Sequence, residues 1–229
     1  MIATQQEAVE LIRFSQLTKT YGEGNGAVRA IANVSGLITS GNQLALVGPS
    51  ASGKTTLLHI LGGLEIPTSG SIEWPFLSPG ERLRPASVGI VFQAPSLLPP
   101  LNVVENVALP LLLAGQRQEV AVEKATRALE ILDLAHLSEK LPEELSGGQA
   151  QRVAISRVLA LEPRIILADE PTGQLDQVNA AKVIDLLIQV ASATNAALIV
   201  NTHDLAVAQK FSDVWHMKDG SLEGSERAL

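Results

Sequence analysis

Eight consecutive residues, Gly48-Pro49-Ser50-Ala51-Ser52-Gly53-Lys54-Thr55, set two glycines, a lysine and a hydroxyl at the spacing G-x-x-x-x-G-K-[ST]. The backbone N–H groups of such a loop can wrap a polyphosphate, and a helix opening near Lys54 would turn its positive dipole end toward the same charge. The Lys54 ammonium would then reach the β and γ phosphates, and the Thr55 hydroxyl would bind Mg²⁺. The loop follows Leu44-Ala45-Leu46-Val47, an apolar run that reads as a buried strand, which is the context this spacing requires.

A second apolar run, Arg164-Ile165-Ile166-Leu167-Ala168, ends in Asp169-Glu170, so a parallel strand would deliver two carboxylates at its C-terminal edge. Asp169 is the expected metal-side acid. Glu170 would point elsewhere, placed to take a proton from an attacking water. Between loop and carboxylates lies Leu145-Ser146-Gly147-Gly148-Gln149, offering a hydroxyl and two glycines that permit close backbone approach. A helix follows, with Ala154, Val158 and Leu161 at i, i+4 and i+7.

Loop, pentapeptide and Asp-Glu strand together resemble the ATPase subunits of ATP-binding-cassette (ABC) systems, and the resemblance runs along nearly the whole chain. It implies ATP and Mg²⁺ as cofactors and a second copy of the chain as partner. It assigns nucleotide binding to Gly48 through Thr55 and to Thr56, and signature contacts in trans to Leu145, Ser146, Gly147, Gly148 and Gln149. Tyr21 resembles the aromatic that stacks on adenine, although a lone Tyr is more often a packed or interfacial side chain. Gln93 matches the glutamine that touches metal and attacking water, so Thr55, Gln93 and Asp169 form the implied metal set. His203, after the strand Ala197-Leu198-Ile199-Val200-Asn201, matches the switch histidine. The implied catalytic group is therefore Glu170, His203, Gln93 and Lys54. Asp176, in Gly173-Gln174-Leu175-Asp176, matches a loop that crosses the dimer interface, a role compatible with capping the helix that follows.

Two departures from the family pattern carry expectations of their own. Ala51 stands where Gly is common, so its backbone should avoid positive φ or the loop would be strained. The stretch from Trp74 to Pro85 is shorter than usual and reads as a trimmed surface loop with no lost function.

The elements that must position these groups follow from the changes in periodicity. Short strand-like runs between about 9 and 40, with a turn cluster at Gly22–Gly26, read as an antiparallel β layer presenting Tyr21. From about 94 to 160 the pattern is mainly helical, and thereafter strand and helix alternate through Asp169 and His203 to a terminal hairpin around Asp219-Gly220. The expected fold is α/β: a P-loop NTPase core with a mixed, mostly parallel sheet, an antiparallel β subdomain and an inserted α-helical subdomain. A single nucleotide-binding domain over 1–229 would divide into a core with β layer at about 1–93 and 161–229 and the helical subdomain at about 94–160. Val103 to Ala114, the richest apolar stretch, reads as a buried helix kinked or broken at Pro110.

Composition agrees with one such domain. With 229 residues, 46% of them hydrophobic, the chain can bury a sizeable core. It contains no cysteine, which removes disulfides and thiolate metal sites and is consistent with a reducing compartment. A formal net charge of −7 argues against nucleic acid as a partner. No run approaches the roughly 18 apolar residues of a membrane span, so the expected location is the cytoplasm; the resemblance implies a peripheral place there, on the inner face of the cell membrane.

The chain has one cassette, no long coiled coil and no DNA-binding module, which favours transport-coupled ATP hydrolysis with an integral membrane permease as second partner. Phe92-Gln93, Ser96-Leu97-Leu98-Pro99, Val104-Glu105-Asn106-Val107 and Ala168-Asp169-Glu170-Pro171-Thr172-Gly173 are most similar to the lipoprotein-release and macrolide-export group. The implied activity is export, lipoprotein release or mechanotransmission. The alternative is a nucleotide-switched regulator of a membrane partner, of the cell-division type, without substrate transport. Leu97 and Leu98 are the expected contacts for that partner.

Overall fold

The computed structural model describes residues 8–84, 87–173 and 175–227. Pro85, at the end of the shortened stretch, and Gln174, in the loop before Asp176, lie outside the described residues, as do both ends of the 1–229 domain.

Two sheets organise the chain. β1 (Glu10–Tyr21), β2 (Val28–Thr39) and β4 (Ser69–Glu73) form an antiparallel layer in the order β2-β1-β4. β3 (Gln43–Val47), β5 (Val88–Val91), β6 (Ile165–Asp169), β7 (Ala197–Asn201), β8 (Asp213–Lys218) and β9 (Ser221–Arg227) form the second sheet, in the order β5-β6-β7-β3-β8-β9. Its first five strands run parallel, and only the β8–β9 hairpin at the edge is antiparallel.

The continuous apolar runs of β3, β6 and β7 arise because both faces of this sheet are covered. Leu44, Leu46, Ile165, Leu167, Ala197 and Ile199 face the antiparallel layer and α1 (Lys54–Leu61). Their alternates, Ala45, Val47, Ile166, Ala168, Leu198 and Val200, face a larger cluster. That cluster is completed by α2 (Val103–Leu113), α3 (Gln118–Ile131), α4 (Gly147–Leu159) and α5 (Gln177–Thr194). A short helix, α6 (Leu205–Ala208), follows β7. No helix among the described residues is long and apolar enough to cross a membrane.

Helix starts are encoded locally. Asn102 and Glu105 close a reciprocal capping box on α2, and Ser146 and Gln149 do the same on α4. Asp176 caps α5 by accepting the Asn179 N–H at 3.0 Å.

Two expectations are corrected here. α2 runs through Pro110 to Leu113 rather than breaking, losing only the hydrogen bond that the missing N–H would give to Asn106. It is also not buried at its end, since Leu112 is 40% and Leu113 71% exposed. The 74–84 stretch is more than a surface loop. Trp74, Phe76 and Leu83 pack on the core, the Trp74 indole donates to the Leu61 carbonyl at 3.0 Å, and the Arg164 guanidinium lies 5.4 Å from the Phe76 ring. The shortened stretch thus supplies a donor to the last carbonyl of α1.

Candidate active site

The residues singled out for chemistry converge where parallel strands end. The phosphate loop follows β3, Gln93 lies two residues past β5, Asp169 closes β6 with Glu170 next to it, and Asn201 and His203 stand at and just after the end of β7. Since β5, β6, β7 and β3 are neighbours in the sheet, four C-terminal strand ends meet along one edge, where an α/β sheet opens a crevice.

The phosphate loop is held tightly. Gly53 takes φ = 99° immediately before α1, and a Cβ there would stand 2.2 Å from the Ala30 carbonyl oxygen. At Gly48 a Cβ would stand 2.0 Å from the Met217 carbonyl oxygen. Only glycine permits these approaches. The expectation for Ala51 fails: its φ is 61°, in the left-handed region. A non-glycine residue pays about 1–2 kcal/mol for that conformation, and Ala tolerates it with the smallest side chain that has a Cβ.

Lys54 is 6% exposed and donates to the Gly48 and Pro49 carbonyls, at 2.9 Å each. Burial pulls its pKa below the ordinary lysine value, opposed by the charges of Glu170 and Asp169. An ammonium resting on carbonyls at the mouth of a loop of N–H donors is placed to turn to an arriving phosphate. The open cavity beside it, about 360 Å³, is lined by Val28, Arg29 and Ala30, by Ser50 through Thr56, and by Glu170 and Asn201. None of Leu145 through Gln149 lines it.

Thr55 Oγ1 donates to Asp169 Oδ1 at 3.1 Å, and the Asn201 side-chain amide donates to the same carboxylate oxygen. Asp169 and Asn201 are cross-strand partners and both are buried. Hydroxyl and carboxylate are the hard oxygen donors that Mg²⁺ prefers. Among the described residues no group of three or more His, Cys, Asp or Glu could hold a metal unaided. The oxygen set therefore fits a Mg²⁺ that completes its shell with water and substrate phosphate. Gln93 does not bond to Thr55 or Asp169; its side chain goes to Glu170.

Glu170 is gripped at both oxygens. Gln93 Nε2 donates to Oε2 at 3.1 Å, and His203 Nδ1 lies 3.2 Å from Oε1, so the tautomer with its proton on Nδ1 donates there. The backbone of Glu170 is itself unusual, with φ = 45°, and its N–H is fixed by the Asn201 carbonyl at 3.0 Å. The structure thus brings Gln93, Glu170 and His203 together, and Lys54, Thr55 and Asp169 beside them.

The remaining predicted positions lie farther out. Tyr21 is 41% exposed, paired across β1 and β2 with Val28, which lines the cavity by the loop. Its hydroxyl donates to Glu65 at 3.4 Å, and the Lys19 ammonium sits 5.0 Å from the ring. Ser146 accepts the Gln149 N–H, which leaves its own O–H free to donate. Asp176 is exposed, and the Asn179 N–H holds its carboxyl below the usual range.

Sequence reasoning missed Asn201 as a member of the metal-side cluster. Its signal is a polar residue ending a wholly apolar strand.

A family model described as "ABC transporter" matches residues 31–173, spanning the phosphate loop, the pentapeptide and the Asp-Glu strand. The chain is 42% identical over 223 residues to the lipoprotein-releasing system ATP-binding protein LolD of Legionella pneumophila (strain Paris), covering 94% of this chain and 98% of the relative. It is 40% identical over 223 residues to the corresponding protein of Xanthomonas campestris pv. campestris (strain 8004), covering 94% and 93%. Among solved structures it resembles the dimeric post-hydrolysis state of the ATP-binding cassette MJ0796 bound to ADP and Pi, with TM-score 0.87, 35% identity, and coverage of 95% of this chain and 98% of that one. It also resembles cbiO1 of Clostridium perfringens, part of the ABC transporter complex cbiONQ, with TM-score 0.82, 28% identity, and coverage of 96% and 89%.

Proposed function

The chain belongs to the ABC transporter family of ATPases, and from that membership we propose that two copies close head to tail around two ATP molecules and drive a separate integral membrane permease in lipoprotein release. ATP binding and hydrolysis come with the family. Lipoprotein release rests on relatives of about 40% identity that span nearly the whole chain. The same relatives favour transport over a purely regulatory cassette. The location that follows is peripheral, on the cytoplasmic face of the membrane that holds the permease. The domain reading keeps a core with β layer at about 1–93 and 161–229 around a helical subdomain at about 94–160.

The observation that carries the chemical reading is the double grip on Glu170 beside a formed phosphate loop. Glu170 accepts the proton of the attacking water, while Gln93 and His203 fix the direction in which its lone pairs point. Lys54 leaves the Gly48 and Pro49 carbonyls for the β and γ phosphates and offsets their charge. Thr55 and Asp169, with the Gln93 amide oxygen as a third donor, would hold Mg²⁺, which would supply Lewis-acid stabilisation of the phosphoryl oxygens when bound. Tyr21 stacks on the adenine. Ser146, with its free O–H, and the first N–H groups of α4 serve the ATP of the other copy, and Asp176 lies in the loop between copies.

Purified protein should hydrolyse ATP in a Mg²⁺-dependent manner, and pull-down from membranes carrying its permease should recover that subunit. Failure of Mg²⁺-dependent hydrolysis, alone and with the permease, would contradict the reading.

A further inference from the structure

Two residues past Gln149, α4 carries a side chain that none of the roles above uses. Gln151 is 1% exposed, and its Nε2 donates to two backbone carbonyls, of Phe92 at 3.2 Å and of Pro171 at 3.1 Å. Phe92 immediately precedes Gln93, and Pro171 immediately follows Glu170. Since Gln93 and Glu170 bond to each other at 3.1 Å, the contacts form a closed ring: one buried amide ties the backbone behind each of two side chains that meet in front.

The location explains why a side chain is needed. The β5–β6 ladder stops at the pair Val91 and Ala168, so past that point no strand pairing sets the distance between the two segments. An amide nitrogen has two N–H donors, and here each has a carbonyl to serve. In a buried, low-dielectric setting, separating either carbonyl from its donor is costly, so the ring holds its dimensions. α4 grips the same segment a second time, for Arg157 donates to the carbonyls of Ser96 at 3.0 Å and Pro95 at 3.3 Å. Helix and segment are therefore tied by two side chains.

We propose that Gln151 is a positioning residue for ATP hydrolysis, setting the separation of Gln93 and Glu170 from behind and passing movement of the α4 N-terminus to that pair. The proposal rests on the assignment of Glu170 as the group that takes the proton from water. It gives the Ser146-Gly147-Gly148 end of α4 a short mechanical path to its own chain's Glu170: along the helix to Gln151, then through one amide to the Pro171 carbonyl.

The Oε1 of Gln151 has no partner among the described residues, so all of its bonding is on the donor side. Gln151→Glu therefore keeps the shape and removes both donors, setting carboxyl oxygens against two carbonyls. Gln151→Met keeps the approximate volume and removes polarity altogether. In both variants kcat should fall about 10–100-fold, the scale of a displacement of about 1 Å at a reacting centre. ATP affinity, measured by equilibrium binding, should stay within about threefold, because no phosphate contact is lost. In single-turnover measurements on a Glu170→Gln background, the same substitutions should change the residual rate less than about twofold, since the group they position is gone. An unchanged kcat in folded protein, an equal fold-loss in both backgrounds, or loss of fold in both variants would overturn the proposal. Full turnover in Glu170→Gln alone is a separate failure, that of the assignment beneath the proposal, and would remove its basis.

Discussion

Gln93 and Glu170, 77 residues apart in the chain, meet side chain to side chain at 3.1 Å, and the glutamine takes the oxygen that His203 leaves open. A carboxylate held at both oxygens cannot rotate to an unproductive orientation, and its remaining lone pairs are aimed. Glu170→Gln keeps the shape but not the basicity. It should bind Mg-ATP like the parent and turn over about 10²–10⁴-fold more slowly. Steady-state kinetics with a nucleotide-binding assay checks this, and parent-like turnover would exclude Glu170 as the proton acceptor.

Lys54 makes the complementary case. Its folded-state pKa lies below the ordinary lysine value because of burial. The unfolded chain therefore binds the proton more readily, so the buried charge costs stability at neutral pH and the cost fades as pH rises through the lowered pKa. Lys54→Met should leave the nucleotide-free protein at least as thermally stable at neutral pH, while abolishing the rise in Tm that Mg-ATP gives the parent. A full ATP-induced shift in the variant would contradict the phosphate-loop assignment.

Much of this site was legible because its parts are contiguous. The phosphate loop, the Leu145–Gln149 pentapeptide and the carboxylates at the end of β6 each sit within a few residues, and local spacing is what a sequence displays directly. Contacts between distant segments were less so. That Gln93 bonds to Glu170, and that Asn201 completes the metal-side cluster, depends on β5, β6 and β7 lying side by side in the sheet although helices α2 to α5 separate them in the chain. Backbone strain was misjudged at Ala51, whose φ of 61° is imposed by the loop around it. The packing of Trp74 and Phe76 was missed because a short, Pro-rich stretch gives no periodicity to read.

The junction between α4 and the sheet should be sensitive to volume. Gly89 lies in β5 under α4, and a Cβ there would stand 2.3 Å from Val158 Cγ1. Gly89→Ala should cost about 1–3 kcal/mol of stability by overpacking, and the double variant with Val158→Ala should recover part of it. Urea denaturation checks both, and an unchanged midpoint in the single variant would refute this packing.

Leu97 and Leu98 differ in burial. Leu98 is 42% exposed, whereas Leu97 packs against the helical core. Leu98→Asp and Leu113→Asp should spare basal ATP hydrolysis and abolish stimulation by the permease. Leu97→Asp should instead lower Tm and basal activity together. Loss of basal activity in Leu98→Asp with an unchanged Tm would count against a docking role for that surface.

The central claim is that each site is completed by two chains, since the cavity beside Lys54 has no contribution from its own Leu145–Gln149 segment. Mixing tests it most directly. Lys54→Ala and Gly147→Asp proteins, each also carrying Glu170→Gln, should fail alone to form a dimer locked by Mg-ATP. Mixed, they should form one, because the intact loop of the second meets the intact signature of the first. Recovery of a nucleotide-locked heterodimer on size exclusion is the predicted result. Its absence, with the two chains shown by a separate label to associate, would mean that the site is completed within one chain.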